Sequence, residues 1–431
     1  MTHHSHASPT RRRLLGTAAG ATALLAAGSA RAADKMLNVL SHKVHQTALG
    51  SGDGDLLRAW KAAQGADAAF TTLDSNPLQD RLFREASLPQ TEYGVGFIID
   101  NRPTAQVAAL FEPLDALQKS DPIEAFDDVA PGLVQGMTVD GKLIGIPVRH
   151  ATLGLFYNEA LLEEAGIAAP PTTLEEMVEQ ARKATFTSKA GTPVTGMTLA
   201  SDLAAFPVMF ARAFGGDFIT KDFRLLPDPA AFEQGLDTVR GMFAAGSLPR
   251  SYATTRNDDP VTWMQQGRAA FTVLPFARND QLNNPEVSRF PGRIKAVEFP
   301  ISAGLKGKMP MAAVVEAWGM AIPRNARDKT LAWSFIREVS SKRVTVGMAL
   351  NGNGPVRVSA YADPGLRAKM PLAATEAAVL ANARGAFPPF PEGARAQQVM
   401  IEEVQLAVLG RKPVKEAVAA IATRVKPLMP T

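Results

Sequence analysis

Two patterns of apolar residues alternate along the chain, and together they predict an α/β fold. Short apolar runs that are rich in β-branched and aromatic residues have the length of buried strands. They lie at Met36–Leu40, Val95–Asp100, Leu143–Val148, Leu153–Tyr157, Ile294–Phe299 and Val314–Ile322. The segments between these runs carry apolar residues at helical spacing. Strands that alternate with helices are typical of βαβ units and a mostly parallel sheet.

Polar residues follow the first two predicted strands. His42 and His45 come after the first strand, and Arg102 comes after the second. Ligands of parallel sheets bind beyond the carboxyl ends of the strands. We therefore expect these three side chains to face one cleft.

The stretch from Gly141 to Asn158 has the most informative pattern. Its two apolar runs are separated by the polar residues Arg149, His150 and Thr152. Two buried strands joined by a short polar link predict a chain that leaves one core and enters another. The polar link would then lie between two bodies, where small-molecule clefts tend to form.

The chain has 431 residues, which is long enough for two or more domains. Its formal net charge is +4 at pH 7, and residues 1–32 hold four arginines and no acidic residue. Without these four, the rest of the 46 basic residues balance the 42 acidic ones. A chain that is neutral overall lacks the basic footprint of a nucleic-acid-binding protein, so we expect no nucleic-acid partner.

Residues 1–32 have the pattern of an export signal. Arg11–Arg13 precede the apolar stretch Leu14–Ala27, and Ala30–Ala32 offers a small-x-small cleavage site. The apolar stretch is too short to span a bilayer. The arginines resemble a twin-arginine signal, and a general secretory signal is the alternative.

The absence of cysteine also bears on location. It excludes disulfides and a lipid anchor on an N-terminal cysteine. With the export signal, this predicts a soluble periplasmic protein that is not lipid-anchored.

Motifs of catalysis are missing from the sequence. It contains no G-x-S-x-G, no H-E-x-x-H, no P-loop, no EF-hand and no cysteine nucleophile. We therefore predict no catalytic residues, no cofactor and no enzymatic activity.

Three histidines follow the export signal, and all of them map to the predicted cleft. One hypothesis is that His42, His45 and His150 ligate a transition metal. Another is that they donate hydrogen bonds to an organic solute, together with Arg102 and Arg149. Any one of them could instead be a structural residue.

The segment Gly141–Met177, GKLIGIPVRHATLGLFYNEALLEEAGIAAPPTTLEEM, resembles the signature of the extracellular solute-binding proteins of ABC importers. The similarity is to the sugar-binding family that includes the maltose-binding proteins. The resemblance implies a periplasmic-binding-protein fold, in which two Rossmann-like α/β lobes are joined by a hinge with several crossings.

The resemblance also implies lobe boundaries. One lobe would contain residues 33–150 and 276–345, and the other would contain 151–275 and 346–431. Further crossings are expected at Pro275–Arg278 and near Asn351–Pro355.

Further candidate site residues follow from these expectations. The resemblance places Trp318 where a strand meets the cleft, as a platform for stacking on a sugar, with Glu316 beside it. Asp202 precedes a predicted helix whose start could face the cleft, while Phe276 and Asn353 lie at the later crossings. The chain has only four Trp and four Tyr, which argues for a small solute rather than a long oligosaccharide.

The main hypothesis is a monomeric periplasmic component of an ABC importer, which captures a small sugar, polyol or sugar acid by hinge closure. Its partner would be a permease in the inner membrane. The alternatives are an exported periplasmic enzyme and a metal-binding protein centred on the three histidines. The predicted ligand-binding residues are His42, His45, Arg102, Arg149, His150, Asp202, Phe276, Glu316, Trp318 and Asn353.

Overall fold

The computed structural model of the protein describes residues 35–256 and 258–430. The predicted export signal, residues 1–32, lies outside the described residues. Within the described ranges, none of the helices combines the length and the apolarity that crossing a membrane requires.

The described residues form an α/β structure, which confirms the predicted fold class. The expectation of a mostly parallel sheet is wrong, because β11, β6 and β10 pair with their neighbours in the antiparallel direction. The strands are β1 (Lys35–Ser41), β2 (Ala66–Thr72), β3 (Tyr93–Ile99), β4 (Thr138–Val139), β5 (Lys142–Leu143), β6 (Ile146–Asn158), β7 (Phe186–Thr187), β8 (Pro193–Thr198), β9 (Ala269–Pro275), β10 (Ile294–Val297) and β11 (Val315–Ala321).

The α-helices surround this sheet and vary from one turn to more than four. They are α1 (Lys43–Leu49), α2 (Arg58–Gln64), α3 (Ser75–Ala86), α4 (Ala105–Ala108), α5 (Asp115–Ser120), α6 (Pro131–Gly136), α7 (Glu159–Glu164), α8 (Leu174–Lys183), α9 (Ala205–Ala213), α10 (Pro229–Ala244), α11 (Asp259–Gln265), α12 (Asn279–Leu282), α13 (Lys329–Val339), α14 (Lys342–Leu350), α15 (Pro364–Lys369), α16 (Ala373–Leu380), α17 (Gly393–Val408) and α18 (Val414–Val425).

The main sheet follows the order β2-β1-β3-β11-β6-β9-β8-β7, with β10 also paired to β6. Strand β1 is parallel to β2 and β3, and β8 is parallel to β9. Strand β11 runs antiparallel to both β3 and β6. Helices α3 and α13 pack near β3, whereas α9, α10 and α17 pack together in the other half of the protein.

Strand β6 belongs to both halves of this sheet. Its first part, from Ile146 to Thr152, pairs with β11, and its second part, from Leu153 onward, pairs with β9 and β10. The prediction of two strands separated by a polar link is therefore wrong. The backbone of Arg149 stays in register with β11, because ladder hydrogen bonds do not depend on the polarity of the side chains.

The expected crossing at Pro275–Arg278 is not where the chain changes halves. This segment joins β9 to the 3₁₀ turn Phe276–Arg278 and α12, and the next strand, β10, again pairs with the second part of β6. The chain then returns to β11, which pairs with the first part. The pairing thus favours a crossing between Val297 and Val315, and the lobe boundaries as a whole remain predictions.

Local capping explains two of the helix starts. The Asn158 side chain accepts hydrogen bonds from the N–H groups of Ala160 and Leu161 at the start of α7. The Thr173 hydroxyl accepts one from Glu176 at the start of α8, as the capping pattern predicts. Asp202, by contrast, does not cap α9, which begins three residues later.

Candidate functional site

A cavity of about 620 Å³ lies where the two halves of the sheet meet. Its volume is in the range of small-molecule sites. One wall comes from residues 100–101, 132–138 and 314–316. The opposite wall comes from residues 203–206, 217–221 and 386–389. Residues 384–385 pair with residues 313–315 and lie between the two walls, and residues 151–153 and 273–275 form the floor.

Two carboxyl groups lie on the first wall. Asp100 directly follows β3 and is buried; burial raises its pKa well above the ordinary value, and the charge of Glu316 raises it further. Glu316 is open to the cavity, and the surrounding protein raises its pKa by reducing its hydration, although Arg149, Trp318 and Arg102 counteract this effect. These two groups can accept hydrogen bonds from solute hydroxyls, and a protonated carboxyl can also donate one.

The glycines beside Asp100 leave room for its side chain. A Cβ at Gly136 would lie 3.2 Å from the Asp100 Cβ, and one at Gly385 would lie 3.9 Å from its Oδ2. The Asp100 side chain is thus enclosed by the backbone of α6 and by the segment between the two walls.

The second wall is largely apolar. Phe206 and Phe387 line it together with Pro388 and Pro389. The Phe387 ring packs edge-on against Phe218, with centroids 5.7 Å apart. Aromatic rings opposite polar groups suit a solute that has both hydroxyl groups and apolar C–H faces.

A buried arginine holds the segment that carries Phe387. The Arg212 guanidinium contacts Asp217 at 3.2 Å and donates to the carbonyl of Gly385 at 2.7 Å. It also donates to the carbonyls of Ala312 and Ala386. Burial lowers the pKa of Arg212 to about 10, and Asp217 counteracts this effect. Arg212 therefore ties α9 to the two segments that run beside β11.

Side chains of β6 alternate between the cleft and the opposite face. Ala151 and Leu153 line the cavity, so Arg149 shares their face. In β11, Trp318 lies opposite Arg149 and Glu316 lies opposite Ala151. Arg149, Glu316 and Trp318 therefore lie on the cleft side of the sheet.

His42 and His45 pack around Trp318. Ring centroids are 6.1 Å apart for His42 and Trp318, and 4.9 Å apart for His45 and Trp318. Trp318 is only 3% exposed, so other side chains cover both faces of its ring. The expectation that Trp318 stacks on a sugar is therefore wrong for this structure. The His45 ring is fully buried against Phe97, and burial lowers its pKa well below the ordinary value.

His150 lies on the other face of β6, which corrects its placement in the cleft. Its Nε2 lies 2.9 Å from the Tyr361 hydroxyl and 3.0 Å from the carbonyl oxygen of Pro355, and its Nδ1 contacts Thr152. Burial lowers the pKa of His150 to about 4 and raises that of Glu376, 3.9 Å away, to about 8. His150 is thus part of a buried polar network behind the hinge.

Two more predicted ligand-binding residues lie in the interior. The buried Asn353 amide donates to the carbonyl of Val148 at 2.7 Å, so it ties the chain to β6. Phe276 is 2% exposed, and its ring occupies the space beside Gly154, where a Cβ would lie 2.4 Å from the ring. The structure assigns both residues to packing around the crossing strand.

Arg102 and Asp202 lie at the edges of the cleft. Arg102 is exposed and donates to Asn76 at 2.7 Å, while its charge lowers the pKa of Glu316. Asp202 contacts Arg256 at 3.5 Å and directly precedes the cavity residues 203–206. Whether His42, Arg102, Arg149, Asp202 or Glu316 contacts a solute stays a prediction.

The three histidines cannot ligate the same metal ion, because His150 lies on the opposite face of β6 from His42 and His45. No group of three or more His, Asp or Glu side chains among residues 35–256 and 258–430 is placed to hold a metal ion.

Several cavity residues escaped the sequence analysis. Asp100 ended a predicted strand, so its position beyond the carboxyl end could have identified it. Phe206 and Phe387 carry no local signal of a binding role, because a phenylalanine is most often a core residue. The pairing of Arg384 with Asp217 at 2.9 Å depends on contacts distant in sequence, which no local pattern indicates.

The fold, the cleft at the crossing strand and the sequence together define the class of protein. Residues 96–346 match the family of bacterial extracellular solute-binding proteins. This match covers more than half of the chain, which therefore belongs to that family.

Similar sequences include binding proteins of ABC transporters. A probable amino-acid ABC transporter periplasmic-binding protein of Sinorhizobium fredii is 26% identical over 301 residues, 67% of this chain and 65% of that protein. A probable ABC transporter-binding protein of Deinococcus radiodurans is 24% identical over 62% of this chain and 64% of its own length. The chain thus spans less than two thirds of the length of either relative.

Solved structures share the fold over nearly their whole length. A maltose-bound MalE3 from T. maritima has a TM-score of 0.74 at 21% identity, covering 91% of this chain and 100% of that one. A solute-binding protein from Agrobacterium radiobacter in complex with ribitol has a TM-score of 0.73 at 22% identity, covering 92% and 99%.

Proposed function

We propose that this protein is the solute-binding component of an ABC importer and captures a small carbohydrate-like solute between two lobes. The observation that carries this proposal is the cavity on both sides of β6, with carboxyl groups on one wall and aromatic rings on the other. A solute that contacts both walls binds better when the walls approach, so it shifts the protein toward a closed state.

The ligands of similar structures support this class of solute. These structures contain bound ribitol, D-mannitol and alpha-D-tagatose. These are small polyhydroxy compounds, which fit a cavity of about 620 Å³.

Location, partner and mode of action follow from the family as further parts of the proposal. The mature protein works in the periplasm, as a monomer without a lipid anchor, and delivers its solute to an inner-membrane permease. It binds and releases the solute without covalent chemistry. The solute-contacting side chains we propose are Asp100, Arg149, Phe206, Glu316 and Phe387.

A thermal-shift panel on ligand-stripped protein tests the solute class. The panel contains sugars, polyols, sugar acids, amino acids and divalent metals. A ligand at a hundred times its Kd adds about 2.7 kcal/mol of stability, which moves Tm by several degrees. We expect a shift with a carbohydrate-like compound that persists with chelator present.

Matched variants locate the binding site. Phe387→Ala should abolish most of the shift, whereas Phe223→Ala, an exposed ring outside the cavity, should preserve it. A shift with amino acids alone would contradict the carbohydrate class, and turnover of the bound compound would favour the enzyme hypothesis.

A further inference from the structure

A group of hydrogen-bond donors borders the cavity beyond Ala151. Arg149 is the next residue on the same face of β6, and it is half-buried. Its guanidinium forms no hydrogen bond or ion pair with any residue in 35–256 or 258–430. A half-buried cation without a partner is costly, because burial removes part of its hydration.

A second arginine lies near Arg149, just past the end of β9. Pro275 pairs with Leu153 and β9 runs antiparallel to β6, so the turn Phe276–Arg278 comes beside the residues that precede Leu153. Arg278 follows β9 and is held by Asp258 at 2.9 Å and by Gln281 at 2.8 Å. Burial lowers the pKa of Arg149, and the positive charge of Arg278 lowers it further. The like charges of the two guanidinium groups repel each other, and Asp258 offsets part of the charge of Arg278.

The carboxylate of Glu316 relieves this repulsion only in part. Its charge raises the pKa of Arg149, but no ion pair joins the two side chains in the described part of the chain. The Trp318 side chain and the charge of Arg102 also act on Glu316, and both lower its pKa.

His42 adds a neutral donor beside Arg149. Its Nδ1 accepts a hydrogen bond from the Val44 N–H at 3.2 Å, so the proton of the neutral ring is on Nε2. Burial and the charge of Arg149 lower its pKa, while Asp74 counteracts them. We name Arg149, Arg278 and His42 together the arginine corner.

We infer that the arginine corner binds an oxyanion carried by the solute, so that the solute is an acidic polyhydroxy compound and not a neutral sugar or polyol. This inference rests on the proposed function. A carboxylate or phosphate ester accepts the paired N–H groups of a guanidinium. Its hydroxyl groups then lie against Asp100 and Glu316 in the adjoining cavity.

The contact of the oxyanion with Arg149 and Arg278 also favours closure of the cleft. An anion between Arg149 and Arg278 turns a repulsion between the two halves into two attractions. A neutral compound leaves the repulsion in place, so it has less differential affinity for the closed state.

Calorimetric titration of the ligand-stripped protein tests this inference. The titrants are matched sets of one carbon skeleton, for example ribitol, ribonate and ribose 5-phosphate, with equivalent sets for mannose, glucose and galactose. We expect one acid or phosphate ester to bind about ten- to a hundredfold more tightly than its polyol. The carboxylate and phosphate arms identify the kind of oxyanion.

Variants separate recognition of the anion from structural damage. Arg149→Gln should weaken binding of the acidic compound about ten- to a hundredfold and that of the polyol less than threefold. Arg149→Lys should recover part of the loss, and Arg240→Gln on the exposed side of α10 should change neither affinity. Tm without solute should be equal to or higher than that of wild type for Arg149→Gln, because the substitution removes a half-buried charge that has no partner.

Two results would overturn the inference. Equal or tighter binding of a neutral polyol would reject the oxyanion and leave the importer hypothesis standing. If no member of any set binds, the carbohydrate-like solute class fails and the oxyanion fails with it.

Discussion

At the scale of single residues, the most unusual pair is His150 and Glu376 behind β6. Both are buried, and burial disfavours the charged form of each: the pKa of His150 falls to about 4 and that of Glu376 rises to about 8. Folding therefore keeps both groups neutral over a range in which the unfolded chain would ionise one or both. The raised pKa of Glu376 lowers the stability of the protein as pH rises, whereas the lowered pKa of His150 lowers it as pH falls.

We predict that Glu376→Gln becomes increasingly stabilising relative to wild type as pH rises. The raised pKa means that the unfolded carboxyl ionises first, so wild type loses stability from about pH 4.5 to pH 8. Each pKa unit corresponds to about 1.4 kcal/mol. Urea unfolding at pH 5 and pH 8 measures the difference, and a constant difference would show that Glu376 is ionised in the folded protein.

His150 should act in the other direction. Its lowered pKa means that the unfolded imidazole takes up its proton first, so stability is lost as pH falls from about 6.5 to 4. His150→Gln should reduce that acid-side loss, as measured by Tm between pH 7 and pH 4.5. An unchanged acid slope would contradict a neutral His150.

A third residue-scale prediction concerns Arg212. Arg212→Met should destabilise the protein by about 3–5 kcal/mol, because it removes one partner of the buried Asp217. Arg182→Met removes an exposed pair with Glu179 and should cost at most about 1 kcal/mol. Denaturant unfolding compares the two variants, and similar losses would mean that the Asp217 pair contributes no more than a surface pair.

At the scale of elements, β6 shows what the sequence could and could not predict. The apolar runs identified both of its ends, and the signature placed a crossing there. Successive side chains of a strand point to opposite faces, so Arg149 and His150 should lie on opposite faces of β6. The sequence analysis placed both in the cleft because it treated these polar residues as a link between two strands. The pairing of β6 with β11, the crossing between Val297 and Val315 and the burial of Trp318 all depend on contacts between residues far apart in the sequence. Local patterns do not predict such contacts.

The packing of β6 against the turn at Phe276 gives an element-scale prediction. Gly154→Ala should cost about 1–3 kcal/mol, because the new Cβ would lie 2.4 Å from the Phe276 ring. Adding Phe276→Leu should recover part of this loss. Gly241→Ala in α10, where a Cβ meets nothing within 4 Å, should be neutral or stabilising.

At the scale of the whole molecule, the proposed function requires the two halves to approach each other. The sequence contains no cysteine, so Lys119→Cys with Arg224→Cys allows two spin labels at exposed positions. We expect the distance between the labels to shorten and its distribution to narrow when the solute binds. A distribution that the bound solute leaves unchanged would contradict hinge closure.

The pairing of β6 with a strand far along the chain also determines when the sheet can form during ribosomal synthesis. Thr152 pairs with Val315, so one edge of β6 has no partner until ribosomal synthesis has passed β11. Pairing of such widely separated segments is slow, and an unpaired strand edge attracts other chains. A nascent chain that ends before Val315 should therefore depend on chaperones, and the first half of the sheet should become protease-resistant only after that point.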